Sequence, residues 1–519
     1  MGLWSTLGPG KKLIMQLSKN ALGQIEAKKG LEKPAESVLA LPEKVLQFGT
    51  GVLLRALPDY FIDKANKAGL FNGRVVIVKS TDSDSSAFDR QDGLYTVCVR
   101  GVENGVTVEE NIINASVSRV LGAKTEWKKI LECAHNPEMQ IVLSNTTEVG
   151  IQLVDDDIHA APPVSFPGKL LAFLFERYKA FQGSSESGMV IVPTELITDN
   201  GSKLESIVLE LAHRNQLDFK FIEWLETANT FCNSLVDRIV PGKPNQADGQ
   251  KIQDALGYED ELMTMSEVFR LWAIEGDEKV KQVLSFHQAD PGMVIVPDIT
   301  LFKELKLRLL NGTHTFNCGT AFLSGFNITR EAVTHPVYGA FTKRLMHEEI
   351  APAIPFAIDE KVKADFANSV FERFCNPFID HQWLSITVQV TSKMKMRNLP
   401  LLQQHFKNSA EVPVHMAAGF AAFLLYMKVT KQEGNKYFGN RGNESYEIKD
   451  DSAAYFYELW QNNDPASVAK LAMQNKDIWE ADLTQFLGFL EAVQEKLAAY
   501  LTQGVLATIE QIELKKEIA

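Results

Sequence analysis

The sequence predicts an α/β protein in two parts, a first half of parallel βαβ units and a mostly α-helical second half, and three observations support this. At 519 residues the chain exceeds what one ordinary hydrophobic core organises, so at least two domains are expected. Short, largely apolar runs rich in β-branched residues recur in the first half as KVLQF, RVVIVK, MQIVLS and GMVIVP, with helical stretches between them. Such runs suit parallel strands buried on both faces. Beyond about Asp290 the texture changes. Apolar residues there recur at intervals of three and four over 301–318, 329–350, 361–375, 413–431, 451–462 and 480–514, which is the period of amphipathic helices.

Taken in order, residues 1–35 read as an N-terminal arm with room for one helix, 36–285 as the strand-bearing domain and 286–519 as the helical domain. Within the first domain, LYTVCVRGVENGVTVEENIINA reads as two antiparallel strands joined at Asn104-Gly105, inserted into the α/β pattern. The Gly-, Asn- and Lys-rich stretch 433–443 reads as a loop inside the helical half.

Composition excludes several function classes. Hydrophobic residues at 45% and charged residues at 23% are the balance of a globular chain, which argues against disorder. A formal charge of −13, with no long Lys/Arg run, would repel a phosphate backbone, so no nucleic-acid partner is expected. No apolar run reaches the length of a membrane span and no signal peptide is evident, so no membrane partner is expected either. The five cysteines form no CxxC pair, which suits a reducing, cytoplasmic setting. No metal is expected, because no Cys/His cluster has ligand spacing and His347-Glu348-Glu349 is not HExxH.

Two segments carry candidate chemistry. KVLQFGTGVLLRAL puts Gly49 and Gly51 between the first expected strand and a helix. Glycine there lets the backbone turn tightly towards a pyrophosphate, and free N–H groups at the helix start hold its charge. Leu54 stands where the usual fingerprint has a third glycine, so the match is partial, and an ordinary strand-to-helix turn would look similar. The second strand ends at Lys79 and Ser80, where an NAD site usually carries an acidic residue. Lys79 could meet a 2′-phosphate or be a solvated strand end, and Asp82 or Asp84 could reach a ribose instead.

The second segment, KLRLLNGTH, carries Lys306, Asn311 and His314. At 100° per residue the three fall within a fan of roughly 140° on one helix. A lysine in a closed pocket can exchange the proton of an alcohol, an asparagine N–H can hold a carbonyl or alkoxide oxygen, and a histidine can orient substrate, all without a metal. The same residues also suit a solvated lysine, a helix ending at Asn311-Gly312 and a core histidine.

KLRLLNGTH and GTGVLLRA together resemble the signature pair of the long-chain mannitol dehydrogenase family of polyol and hexuronate dehydrogenases. QDGLYT, SNTTEVG, VDRIVPG and RFCNPFIDHQ extend the resemblance over almost the whole chain. It implies a Rossmann-type N-terminal domain, a helical C-terminal domain and a site between them. It implies NAD as cofactor, held by Phe48, Gly49, Thr50, Gly51 and Arg55, with Lys79, Asn145 and Thr146 completing the set. Lys306 is implied as general acid/base, Asn311 as part of an oxyanion-stabilising pair and His314 in substrate binding. Glu148 is implied on a proton path, a role it shares with a structural one at a helix start.

Within the family, SNTTE and VPTELITDNG most resemble members that reduce the hexuronate D-tagaturonate to D-altronate in galacturonate breakdown. Mannitol and mannonate enzymes typically have an Asp-Asn pair where this chain has Glu195-Leu196. The alternative is a fructuronate reductase or a mannonate- or mannitol-type dehydrogenase. The departure at Leu196 leaves the place of the second oxyanion asparagine open, and Asn200, which precedes Gly201, is the substrate-binding candidate for it. A carboxylate substrate needs a cation, for which Arg373, Lys393 and Arg397 are the candidates. The expected assembly is a monomer or weak homo-oligomer.

Overall fold

The structure is a computed structural model that describes residues 15–81, 84–146 and 150–518. Asp82 and Glu148 lie outside the described residues. The chain divides into two compact units. The first comprises residues up to Gly101 and Thr107–Ile299, and the second Val102–Val106 and Thr300–Ala519.

The first unit is organised by six parallel strands: β1 (Glu43–Phe48), β2 (Arg74–Lys79), β3 (Val117–Gly122), β4 (Ile141–Ser144), β5 (Val190–Pro193) and β6 (Thr230–Phe231). They lie in the order β6-β5-β4-β1-β2-β3, with Leu46 of β1 beside Val76 of β2 and Val142 of β4. All residues of β2, β4 and β5 are buried, which is why those runs show no alternation in sequence. Alternate residues nevertheless feed two cores. Val76 and Val78 join one apolar cluster, and Val75 and Ile77 the other.

Read in chain order, the strands run 3-2-1-4-5-6, the doubly wound order in which a ligand sits where the direction of winding reverses, here between β1 and β4. Two strands carried no apolar signal. β3 lies at the sheet edge with Arg119 exposed, and β6 has only two residues.

The expected hairpin forms as Tyr95–Glu103 and Val106–Asn114, turning at Asn104 (φ 52°) and Gly105 (φ 74°). A hexapeptide, GMVIVP, occurs at both 188–193 and 292–297 and makes a strand each time. The second copy, Met293–Val296, pairs with Leu271–Glu275 in a separate three-stranded sheet of the first unit.

The second unit is largely helical around one core that includes Phe316, Trp383, Phe420 and Phe489. Its helices follow the sequence expectation at Glu360–Phe374 and Ala453–Asn462. The expected stretch 480–514 is broken at Gly504 (φ 91°) into Phe489–Gln503 and Val505–Ile518.

Two features correct the sequence reading. Residues 433–443 are not a loop but part of an antiparallel three-stranded sheet, Lys431–Glu433, Lys436–Arg441 and Glu444–Ile448. Its Gly434-Asn435 and Gly442-Asn443 pairs are tight turns, with both glycines at positive φ.

The other correction concerns 301–318. The helix there is α only over Thr300–Leu305 and Thr313–Leu323, with a π-helical segment at Lys306–Gly312 between. Two more π segments occur at Leu345–Ile350 and Met394–Asn398. Both precede a proline by two residues, Pro352 and Pro400. Proline lacks the N–H that the carbonyl four residues back would accept and its ring crowds that carbonyl, so the preceding turn widens. Among the described residues no helix is long and apolar enough to cross a membrane.

Candidate functional site

In the first unit the candidate turn follows β1. Gly49 has φ 128°, and a Cβ there would stand 2.9 Å from the Asn145 carbonyl oxygen, so no side chain fits. At Gly51 a Cβ would meet nothing within 4 Å, so the N–H edge of the following helix, Val52–Ala56, is open to an incoming group. Beneath the turn Gln47 donates to the Gly49 carbonyl and to Asp59 Oδ2, both at 3.3 Å. Burial raises the Asp59 carboxyl to about 7.

The end of β4 supplies the facing wall. The buried Glu195 carboxylate accepts from Ser144 Oγ (3.1 Å), the Thr146 N–H (2.8 Å) and Thr146 Oγ1 (3.0 Å), and Asn145 Nδ2 donates to the carbonyl and hydroxyl of Thr194. Glu195, singled out in sequence only as a departure, is thus the organiser of this loop. Leu196 beside it is 63% exposed.

Several expected cofactor residues sit elsewhere than the motif suggested. Phe48 packs its ring on Phe166 in the core, at 5.0 Å, so only its backbone borders the turn. Arg55 is buried, donates to the Leu262 carbonyl and lies over the rings of Phe88 and Tyr95, which takes its guanidinium away from the turn. Thr50 is half-buried in the turn, and Lys79 is the last, mostly buried residue of β2. Asp84 is occupied by the N–H and hydroxyl of Ser86, which lower its pKa.

Asn200 is corrected outright. Its Nδ2 faces the carbonyls of Pro193, Glu195 and Ser234, and its Oδ1 accepts from the Gly201 and Ser234 N–H groups. A carboxamide with every donor and acceptor used on backbone is a structural clamp with nothing left for a substrate.

In the second unit the π segment alters the expected geometry. An i→i+5 helix takes about one residue more per turn than the 3.6 of an α-helix, so five residues nearly complete a turn. Lys306 and Asn311, roughly 140° apart on an α-helix, are therefore brought towards one face. Burial follows that period: Lys306, Leu307 and Asn311 are half-buried, while Arg308, Leu309, Leu310 and Gly312 are buried.

His314 begins the α-helical continuation and is 7% exposed. Its ring lies 4.2 Å from that of Phe374, 5.2 Å from His381 and 5.9 Å from Trp383, and its Nδ1 has no partner among the described residues. Burial lowers its pKa well below the usual value, reinforced by His381, Arg373, Arg397 and Lys393, so the imidazole is neutral.

The three cations named as candidates from sequence all disfavour a charge on this one histidine, from the end of Glu360–Phe374, the end of Val390–Lys393 and the third π segment, while Lys393 Nζ donates to the Ile386 carbonyl at 2.9 Å. Arg397 donates to Thr315 Oγ1 at 3.2 Å, and that hydroxyl donates to the Asn311 carbonyl, which ties the cation to the Lys306 segment. His381 is the residue sequence reasoning missed, although it stands inside the RFCNPFIDHQ segment. Burial, Arg373 and Lys393 lower its pKa in turn. Burial and the charge of Arg397 lower the pKa of Lys393 as well.

A glycine turn at the switch point of a doubly wound sheet is the architecture of a dinucleotide-dependent oxidoreductase, and comparison with known proteins gives the same class. Residues 43–287 match the mannitol dehydrogenase Rossmann domain and 298–501 the mannitol dehydrogenase C-terminal domain. The altronate oxidoreductase of Bacillus subtilis (strain 168) is 36% identical over 466 residues, 89% of this chain and 92% of that one. In fold, the chain is similar to the mannitol 2-dehydrogenase of Pseudomonas fluorescens, solved with NAD and D-mannitol (TM-score 0.67, 22% identity, 97% of this chain and all of that one). It is also similar to a substrate-free D-sorbitol dehydrogenase (TM-score 0.77, 20% identity, 95% of this chain and all of that one). The chain belongs to the mannitol dehydrogenase family.

Proposed function

We propose that this protein reduces D-tagaturonate to D-altronate, reversibly and without a metal, using NADH. The observation that carries the substrate class is the convergence of Arg373, Lys393 and Arg397 on His314, beside the segment that bears Lys306 and Asn311. A neutral polyol gives no return for gathering three cations, whereas a hexuronate carboxylate does. The relatives named altronate oxidoreductase share the reading.

The turn at Gly49 and Gly51 suits a dinucleotide because backbone, not side chain, lines it. When bound there, NADH supplies the hydride that reaches the ketone carbon. The chain's own residues do the rest. The cations hold the carboxylate, and the neutral His314 hydrogen-bonds a substrate hydroxyl. The Asn311 amide donates to the carbonyl oxygen as negative charge grows on it. Lys306 Nζ delivers a proton to that oxygen, and in the reverse direction takes it back from the alcohol.

The test is NADH oxidation followed by absorbance with D-tagaturonate, run beside D-fructuronate and D-fructose. Turnover fastest on D-tagaturonate supports the reading. Preference for D-fructuronate keeps the carboxylate site and moves the specificity, and preference for D-fructose removes the anion argument.

A further inference from the structure

We propose that Arg308, oriented by Glu304, is a positioning residue that sets where Arg397 stands relative to Lys306 and Asn311. It rests on the roles given to those three residues above. Arg308 projects from the middle of the first π segment and is 6% exposed. Its Nη1 donates to the carbonyls of Met396 (2.9 Å) and Arg397 (2.7 Å), the C-terminal part of the third π segment. Its Nε donates to Glu304 Oε2 at 3.0 Å, which fixes the plane of the guanidinium.

The Met396 carbonyl is available for a reason written in the sequence. In an α-helix the Met396 carbonyl would accept the N–H of residue 400, and that residue is Pro400, which has none. The π turn is already displaced, with the Leu399 N–H donating back to the Met394 carbonyl. Arg308 therefore supplies from a neighbouring helix the donor that proline withholds from Met396, and a carbonyl left without one is costly where water cannot replace it.

A second contact holds the same two segments together. Asn398 Nδ2 donates to the Gly312 carbonyl at 3.3 Å, and a Cβ on Gly312 would stand 3.1 Å from Asn398 Oδ1, so the approach is close and a larger residue would need the amide to shift. The segment bearing the proton donor and the segment bearing the anion-holding arginine are thus fastened by one guanidinium and one side-chain amide. Neither fastener touches the reacting atoms. Arg308 can act only through the placement of Lys306, Asn311 and Arg397.

The experiment uses the full-length protein with Arg308→Met, Arg308→Lys and Glu304→Gln. It reads kcat and KM for D-tagaturonate per folded enzyme, NADH affinity by fluorescence, the thermal midpoint, and hydrogen exchange of peptides covering 394–401. In Arg308→Met the expectation is a KM about tenfold higher, a kcat about tenfold lower and faster exchange in 394–401, because misplacement of about 1 Å costs up to about a hundredfold. NADH affinity stays unchanged. Arg308→Lys, which keeps a charge and N–H donors but lacks the planar guanidinium that meets Glu304 and both carbonyls at once, recovers part of both constants. Glu304→Gln shows the smallest loss.

Wild-type kcat, KM and exchange in Arg308→Met, with or without a lowered thermal midpoint, would overturn the proposal and leave Arg308 merely structural. If wild-type protein reduces no keto-hexuronate, the functional reading fails by itself, and exchange at 394–401 still decides whether Arg308 holds that segment.

Discussion

Around Gly49 the groups presented outward are backbone, and the side chains nearby are turned inward; around His314 the reverse holds. In the first unit Phe48 packs on Phe166, Arg55 is pinned to the Leu262 carbonyl and Glu195 is spent on Ser144 and Thr146. What remains for a ligand is a turn that no side chain may enter. In the second unit the backbone is deformed into π turns, and what remains is a set of side chains, Lys306, Asn311, His314 and three cations. A site made of backbone recognises what all dinucleotides share, whereas a site made of side chains sets chemistry and specificity.

Substitutions should therefore separate by unit. The largest effect is expected for Lys306→Ala, where loss of the proton donor lowers kcat by about a thousandfold, read from NADH oxidation at saturating substrate. Next, Gly49→Ala forces a Cβ against the Asn145 carbonyl at a φ few L-residues adopt, and NADH binding should weaken by roughly ten- to a hundredfold in a fluorescence titration. Removing one cation, Arg397→Gln, should raise the KM for D-tagaturonate by roughly tenfold or more, the worth of one charged hydrogen bond, and should change NADH affinity little.

The smallest effect on activity comes with a pH signature. Buried His415 lies between Glu349 (2.7 Å) and Glu513 (3.0 Å), and these carboxylates raise its pKa from 6.5 to about 9 against the opposing effect of burial. The folded state therefore holds a proton that the unfolded chain releases near 6.5. The stabilisation is complete below that value and lost as pH rises through about 9, on the order of 3 kcal/mol in all. Thermal midpoints measured across that range should fall in the wild type and flatten in His415→Gln, which keeps packing but cannot carry the charge.

The two units also differ in how much their sequences reveal. The main strands of the first were legible because burial on both faces leaves an unbroken apolar run at their centre, as in the VVIV of RVVIVK. In the six-stranded sheet the half-exposed edge strand β3 and the two-residue β6 left no such mark, and outside it neither did Ser234–Asp237 or Thr264–Glu267. Glycine at positions 49 and 51 was legible for the same reason, since the chemistry of a tight turn is written in residue type.

The second unit hid more. Lys306, Asn311 and His314 were legible as a group, but their arrangement was not, because counting at 100° per residue assumes the α-helix that the π segment replaces. Arg373, Lys393 and Arg397 were named as separate alternatives, and only the tertiary fold brings all three to His314. Asn200 failed because its place after a strand gave no hint that Ser234, thirty-four residues on, would take up its amide. Even GMVIVP, a strand in both copies, does not say which sheet it will join.

The most direct test sets Gly49→Ala and Lys306→Ala side by side, measuring the NADH dissociation constant by fluorescence and kcat on D-tagaturonate in each. A crossed pattern is expected: Gly49→Ala loses NADH affinity and keeps much of its kcat at saturation, while Lys306→Ala keeps wild-type affinity and loses turnover. Near-wild-type turnover in Lys306→Ala, or equal loss of both quantities in both variants, would contradict the division of labour argued here.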